Sequence, residues 1–176
     1  MIRKALGEIV RIKRSETGSV TVEFCLIFPA FMFFILSAVE YSLVTVQLGM
    51  LDHGVDQTVR SIRLGTGSNP THDEIKDSIC ERAALIRNCD QNLRLEMIVQ
   101  DPYAGVNLPA DADCTDNSEE AKPLREFENG APNELMILRA CAMVDPIFPT
   151  SAMGRILSDE TGQIQLTAIT AFVQEP

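Results

Sequence analysis

The chain of 176 residues has no tryptophan, only two tyrosines and only two histidines. So few histidines leave little material for imidazole acid–base chemistry or a histidine metal centre. Neither His53 nor His72 has a neighbour in sequence that suggests a nucleophile or a relay. No catalytic residue, metal site or cofactor is expected. Basic residues are also scarce, 15 Lys and Arg against 25 Asp and Glu, for a formal net charge of −10. Nucleic-acid binding needs a basic face and is not expected. The five cysteines contain no C-x-x-C spacing, which argues against structural zinc. Gly65-Thr-Gly67 lacks a following Lys and reads as a helix end, not a phosphate loop. The acidic run Asp111–Glu120 fails as a calcium loop, with no Gly at its sixth position and Lys122 at its twelfth, and reads as a solvated loop.

What is present is unevenly placed. Residues 1–18 hold five basic groups (Arg3, Lys4, Arg11, Lys13, Arg14) against Glu8 and Glu16. The remaining chain holds 10 basic and 23 acidic residues. Between the basic start and the acidic body lies the run from Phe24 to Val39, with five of the eight phenylalanines. The mean hydropathy of +0.05 averages over these unlike parts. Extended outward to Ser19 and Val46, the run is long enough for a bilayer, which takes about 20 residues. The basic flank predicts a cytoplasmic N-terminus and an exported body. A cleaved secretory signal fits less well. No small-x-small cleavage site ends the run, and Glu40-Tyr-Ser-Leu-Val-Thr-Val-Gln-Leu-Gly-Met-Leu51 continues it helically. Pro29 lies inside the run and predicts a kink. Glu40 reads as a residue at the far membrane interface.

One carboxylate lies within the apolar segment. Glu23 precedes Phe24 in Thr17-Gly18-Ser19-Val20-Thr21-Val22-Glu23-Phe24, and a charge there is costly enough to suggest a function. A Gly, four residues, Glu-Phe and a long apolar helix behind Lys and Arg resemble the type IV prepilin processing site. The resemblance implies cleavage after Gly18 on the cytoplasmic side, making Ser19 the new N-terminus. The cut puts a positive amine at a helix N-terminus, where the helix dipole disfavours it. Glu23, about one turn in, can neutralise that amine on its own chain or a neighbour, and so set axial register in a filament.

From Leu48 the pattern is amphipathic, with Leu48, Leu51, Val55, Val59 and Ile62 on one face. This predicts one helix from Ser19 to Leu64, ended by the breakers at residues 65–70. Thr71-His-Asp-Glu74 predicts a capping box opening a second helix that stops near Arg87-Asn88. Alternation at Leu93, Leu95, Met97 and Val99 predicts a strand over 92–100. Residues 102–132 read as loop. A strand over 134–144 is apolar on both faces and predicted central. A helical turn at 151–157 and a strand over 162–173 follow. The expected fold class is α+β: a long N-terminal transmembrane helix continuing as an amphipathic helix, a second short helix, and a pilin-like antiparallel sheet of about three strands. The expected organisation is a leader at 1–18, a transmembrane half at 19–46 and a periplasmic pilin-like domain at 47–176.

The Glu-Phe motif, the capped helix leading by way of a Cys to an alternating strand, the Pro/Gly connection and the final Ala171-Phe-Val-Gln-Glu-Pro176 together resemble the TadE-like family, minor pseudopilins of the tight-adherence (Flp/Tad) pilus system. The resemblance implies a single-pass inner-membrane protein of bacteria that assembles and does not catalyse. It also implies four partners: a prepilin peptidase, other minor pilins, the major pilin and the inner-membrane assembly platform. The alternative is an uncleaved, signal-anchored periplasmic assembly factor that stays out of the filament.

Cys25 lies in the membrane segment and reads as a free thiol. The other four, Cys80, Cys89, Cys114 and Cys141, form an even set in an oxidising compartment, so two disulfides are expected among three possible pairings. With the resemblance, Cys80–Cys89 is the expected bond, tying the helix to the turn before the strand. Cys114–Cys141 would then pin the acidic loop to the central strand.

Overall fold

The computed structural model describes residues 19–64, 70–103, 105, 112, 114 and 127–175. Its fold is α+β. Helix α1 spans Ser19–Leu64, α2 His72–Arg82 and α3 Cys89–Asn92. Strand β1 (Leu93–Gln100), strand β2 (Leu135–Val144), helix α4 (Ala152–Leu157) and strand β3 (Ile164–Val173) complete the order.

Helix α1 has 46 residues and runs through Pro29, which gives a length of about 70 Å at ~1.5 Å per residue. Its two halves live in different surroundings. Within the first half an 18-residue window of mean hydropathy 2.3 has none of its residues buried. A soluble protein's core helix would be covered by its own fold, so the bare apolar helix fits a single-pass membrane protein. In the second half, Leu51, Val55, Val59 and Ile62 are buried in the core. Helix α2 packs antiparallel to this half: Gly54 faces Ile79, and the Thr58 and Ser78 hydroxyls meet at 3.2 Å. A Cβ on Gly54 would lie 3.1 Å from the Ile79 carbonyl oxygen, so a larger residue would push the two helices apart by a few tenths of an ångström.

The sheet has the order β1-β2-β3 and is antiparallel throughout. Its inner face presents Leu93, Leu95 and Met97 from β1, Met136 to Val144 at alternate positions from β2, and Ile164, Leu166, Ala168 and Phe172 from β3 to the helices. Strand β2 is buried along almost its whole length, as its two apolar faces require in the middle of the sheet. Strands β1 and β3 run away from the apolar half of α1 and β2 returns toward it. Two contacts fix this polarity: Glu40 meets residues just after β2, and Arg63 pairs with Glu175 just after β3 at 3.2 Å.

Helix α2 ends earlier than its periodicity predicts, at Arg82 instead of near Arg87-Asn88. The Ala83 N–H closes the last turn on the Ile79 carbonyl. The chain then doubles back to Asn88, which adopts a left-handed φ of 48° before α3. Ala83 and Ile86 are buried all the same. Their spacing reports the core they fill, not a continuing helix.

At the other end of α2 the capping box forms. The Thr71 hydroxyl accepts from the Glu74 N–H at 3.3 Å, and Glu74 Oε2 accepts from the Thr71 N–H at 2.8 Å. Thr71→Ala is expected to lower stability by about 1 kcal/mol, read from denaturant midpoints. The bonds from the Thr71 backbone, then from its hydroxyl, hold the Glu74 carboxyl below the usual carboxylate range. A depressed folded pKa gives stability that is full above the unfolded value, about 4.3, and is lost as pH falls through the lower folded value. Glu74→Gln should therefore flatten the acid limb of the stability profile.

Candidate functional site

The first candidate lies at the start of α1. Ser19 opens the helix, and Glu23 and Phe24 follow one turn in, both exposed. Gly18 and the basic leader fall outside the described residues. The Phe24 and Phe28 rings stack at 5.1 Å and Phe33 meets Phe34 edge-on at 5.7 Å. The local sequence thus builds an aromatic, outward-facing helix surface interrupted by a single carboxylate. In lipid such a carboxylate favours a cationic partner, because an unpaired charge there is costly.

A second site is Glu40, which the sequence marks only as a residue at the far membrane interface. Val20–Val39 covers about 30 Å of helix, which matches the thickness of a bilayer's hydrocarbon, and Glu40 follows directly on it. Glu40 is 1% exposed. Its Oε1 accepts the Ile147 N–H and its Oε2 the Phe148 N–H, both at 2.9 Å. Each carboxylate oxygen thereby takes one of two successive backbone donors, in charge-assisted bonds. The clamp continues into α4. Phe148 O accepts the Ser151 N–H at 2.9 Å, and the Ser151 hydroxyl caps Gly154 N–H at 2.9 Å. A Cβ on Gly154 would strike the Phe148 carbonyl oxygen. Glu40→Ala is expected to leave the two part-buried N–H groups without this acceptor, at about 1 kcal/mol, the low end of the range for a buried donor. Hydrogen exchange checks this: the Ile147 and Phe148 amides should lose protection while those of β2 keep it. In sequence, Glu40 shows only as a charge at the end of an apolar run. Its partners are backbone groups more than a hundred residues away, which no local pattern reveals.

The outer face of the sheet carries the third cluster. Glu96 and Arg139 are direct cross-strand partners. Arg139 donates through Nε and Nη2 to Glu96 Oε2, with both side chains almost wholly buried. Two residues along β2 on the same face, Cys141 is bonded to Cys114, with Cα atoms 5.2 Å apart. The second disulfide joins Cys80 and Cys89, whose Cα atoms are 5.6 Å apart, across the turn that ends α2. Cys25 is free and exposed on the apolar half of α1.

The histidines do not converge on a site. His53 is exposed on α1. His72 binds the Asp73 carboxylate through Nδ1 at 2.9 Å and packs edge-on against Phe127 at 5.4 Å. The hydrogen bond from His72, followed by its charge, lowers the Asp73 pKa. Among the described residues no three or more His, Cys, Asp or Glu side chains group in a way that could hold a metal ion.

Residues 18–60 match the family model described as TadE-like protein. No curated protein matches the chain, and no solved structure does. The matched stretch runs from the residue before α1 through the Glu23 turn, the apolar half, Glu40 and the first part of the packed half. Over residues 18–60, about a quarter of its length, the chain is similar to TadE-like proteins.

Proposed function

We propose that this protein is a minor prepilin that a prepilin peptidase cleaves after Gly18 and that then acts in assembling a Tad/Flp adhesive pilus. The observation that carries this reading is the bare apolar helix beginning at Ser19 with Glu23 one turn in, inside the stretch that matches the family model. An exposed helix of this kind can stay in the bilayer as an anchor and can later pack against like helices in a filament. In that setting Glu23 neutralises the new α-amine of its own chain or of its neighbour. The two disulfides support export of the body to an oxidising compartment. The basic leader supports a cytoplasmic N-terminus. The proposed location is the bacterial inner membrane with the folded domain periplasmic. The proposed partners are the peptidase, other minor pilins, the major pilin and the assembly platform. The role is assembly, not turnover.

The test is the N-terminal mass of the membrane-extracted protein. The expected result is a mature chain starting at Ser19, lost in Gly18→Ala. Glu23→Ala should still be cleaved but be missing from sheared pili. An intact start at Met1 in the unaltered protein would favour the alternative, an uncleaved signal-anchored periplasmic factor that never enters the filament. A start beyond residue 40 would sink both.

A further inference from the structure

The end of the domain that faces the apolar half of α1 mixes apolar side chains with polar and charged ones. The turn at residues 83–88 and the segment after β2 both lie there, the first held by Gln47 Nε2 donating to the Leu85 carbonyl at 3.3 Å, the second by Glu40. Between them and α1 opens a cleft of about 550 Å³, with Leu43, Leu85 and Ile147 beside Arg87, Asn88 and Asp145 in its lining. Leu85 is 46% exposed and Ile147 51%. Arg87 is exposed as well.

Depth identifies what meets this surface. With Glu40 at the hydrocarbon edge, Leu43 and Gln47 stand roughly 5 and 10 Å further along the axis. Lipid headgroups add about 5–7 Å on each side of a bilayer. The cleft therefore begins within the headgroup layer at Leu43 and Ile147 and passes its outer edge toward Gln47 and Leu85. No linker separates it from the span, because α1 is one helix from the membrane half into the core, and the Glu40 clamp fixes the facing segment to that helix. A cation next to apolar side chains suits this layer, where phosphate lies just above the acyl chains.

We propose that this cleft is a phospholipid seat: headgroups of the leaflet from which α1 emerges occupy it, phosphate toward Arg87 and the glycerol and upper acyl carbons against Leu43, Leu85 and Ile147. The inference rests on the reading that α1 spans a bilayer. Seated in this way, the domain is held in one orientation on the membrane before any partner is met.

The chain has no tryptophan, so single-Trp variants report one place each. Full-length Leu85→Trp, Ile147→Trp, Val173→Trp and Phe33→Trp proteins are reconstituted into phosphatidylethanolamine–phosphatidylglycerol vesicles containing lipid brominated high on the acyl chains. Trp at 85 and 147 should be quenched several-fold more than Trp at 173, which lies at the far end of the sheet. Arg87→Glu in the Ile147→Trp background should reduce that quenching. If positions 85 and 147 are quenched no more than 173 while 33 is quenched, the seat is overturned and the span stands. If 33 is also unquenched, the span reading fails and the seat with it. A blue-shifted Trp at 147 that brominated lipid does not quench would assign this face to a protein partner and overturn the lipid seat.

Discussion

Arg139→Met alone is expected to lower the unfolding free energy by about 3–5 kcal/mol, the usual penalty for leaving a buried charge without its partner. The Glu96 and Arg139 side chains are 8% and 5% exposed, and their strands hold them directly opposite. Removing the guanidinium leaves the Glu96 carboxylate buried on an outer face that it shares with Ile98, Ile137 and Arg94. Removing both charges, as Glu96→Leu with Arg139→Met, should return most of the loss, because a buried ion pair gains little over apolar groups of similar volume. Urea titrations of the detergent-solubilised protein followed by circular dichroism give the comparison. A single variant that costs under about 1 kcal/mol would show that water reaches the pair, on the scale of exposed ion pairs.

Loss of the Cys114–Cys141 disulfide, as Cys114→Ser with Cys141→Ser, is the other large effect expected, about 2–5 kcal/mol. Its partners are 27 residues apart against 9 for Cys80–Cys89. In the chain-entropy account the longer loop should cost about 1 kcal/mol more to release. The same denaturant titrations, run on the two double-serine variants side by side, decide the order. A smaller cost for the longer loop would mean that the unfolded chain is already compact around it. The two large effects should also be coupled. Cys141 lies two residues from Arg139 on one face of β2, so freeing Cys114 from that face lets water closer to the ion pair. Arg139→Met should then be less costly in the disulfide-free background, a non-additivity that a double-mutant cycle measures.

What could be read along the chain follows the range of the interactions involved. Helix α1 was legible from end to end, because hydropathy defines its first half, the stripe from Leu48 to Ile62 its second, and the breakers after Leu64 its stop. The β1 alternation and the two apolar faces of β2 show in neighbouring residues too. The end of α2 did not show, since Ala83 and Ile86 keep a helical spacing after the helix has stopped. Nor did the Glu40 clamp or the Glu96–Arg139 pair. Both depend on register between segments 43 to 108 residues apart, and a lone Glu or Arg looks alike in sequence whether solvated or buried. Of the candidate processing and assembly residues, Glu23 and Phe24 stood out because a charge is conspicuous in an apolar run.

The continuity of α1 has a mechanical consequence. A pull on the apolar half is delivered straight to Leu51, Val55, Val59 and Ile62, with no compliant joint in between to absorb it. These residues grip the sheet through side-chain contact alone, and both disulfides close elsewhere, one across the α2 turn and one on the opposite face of the sheet. Under tension along the helix axis the seam between α1 and the sheet is thus loaded in shear without a covalent tie, and its rupture rate sets how long the domain survives force. The crosslinks guard the sheet and the short helices. The strength of the tether rests on the apolar stripe of α1, on polar contacts such as Arg63–Glu175, and on one glutamate at its base.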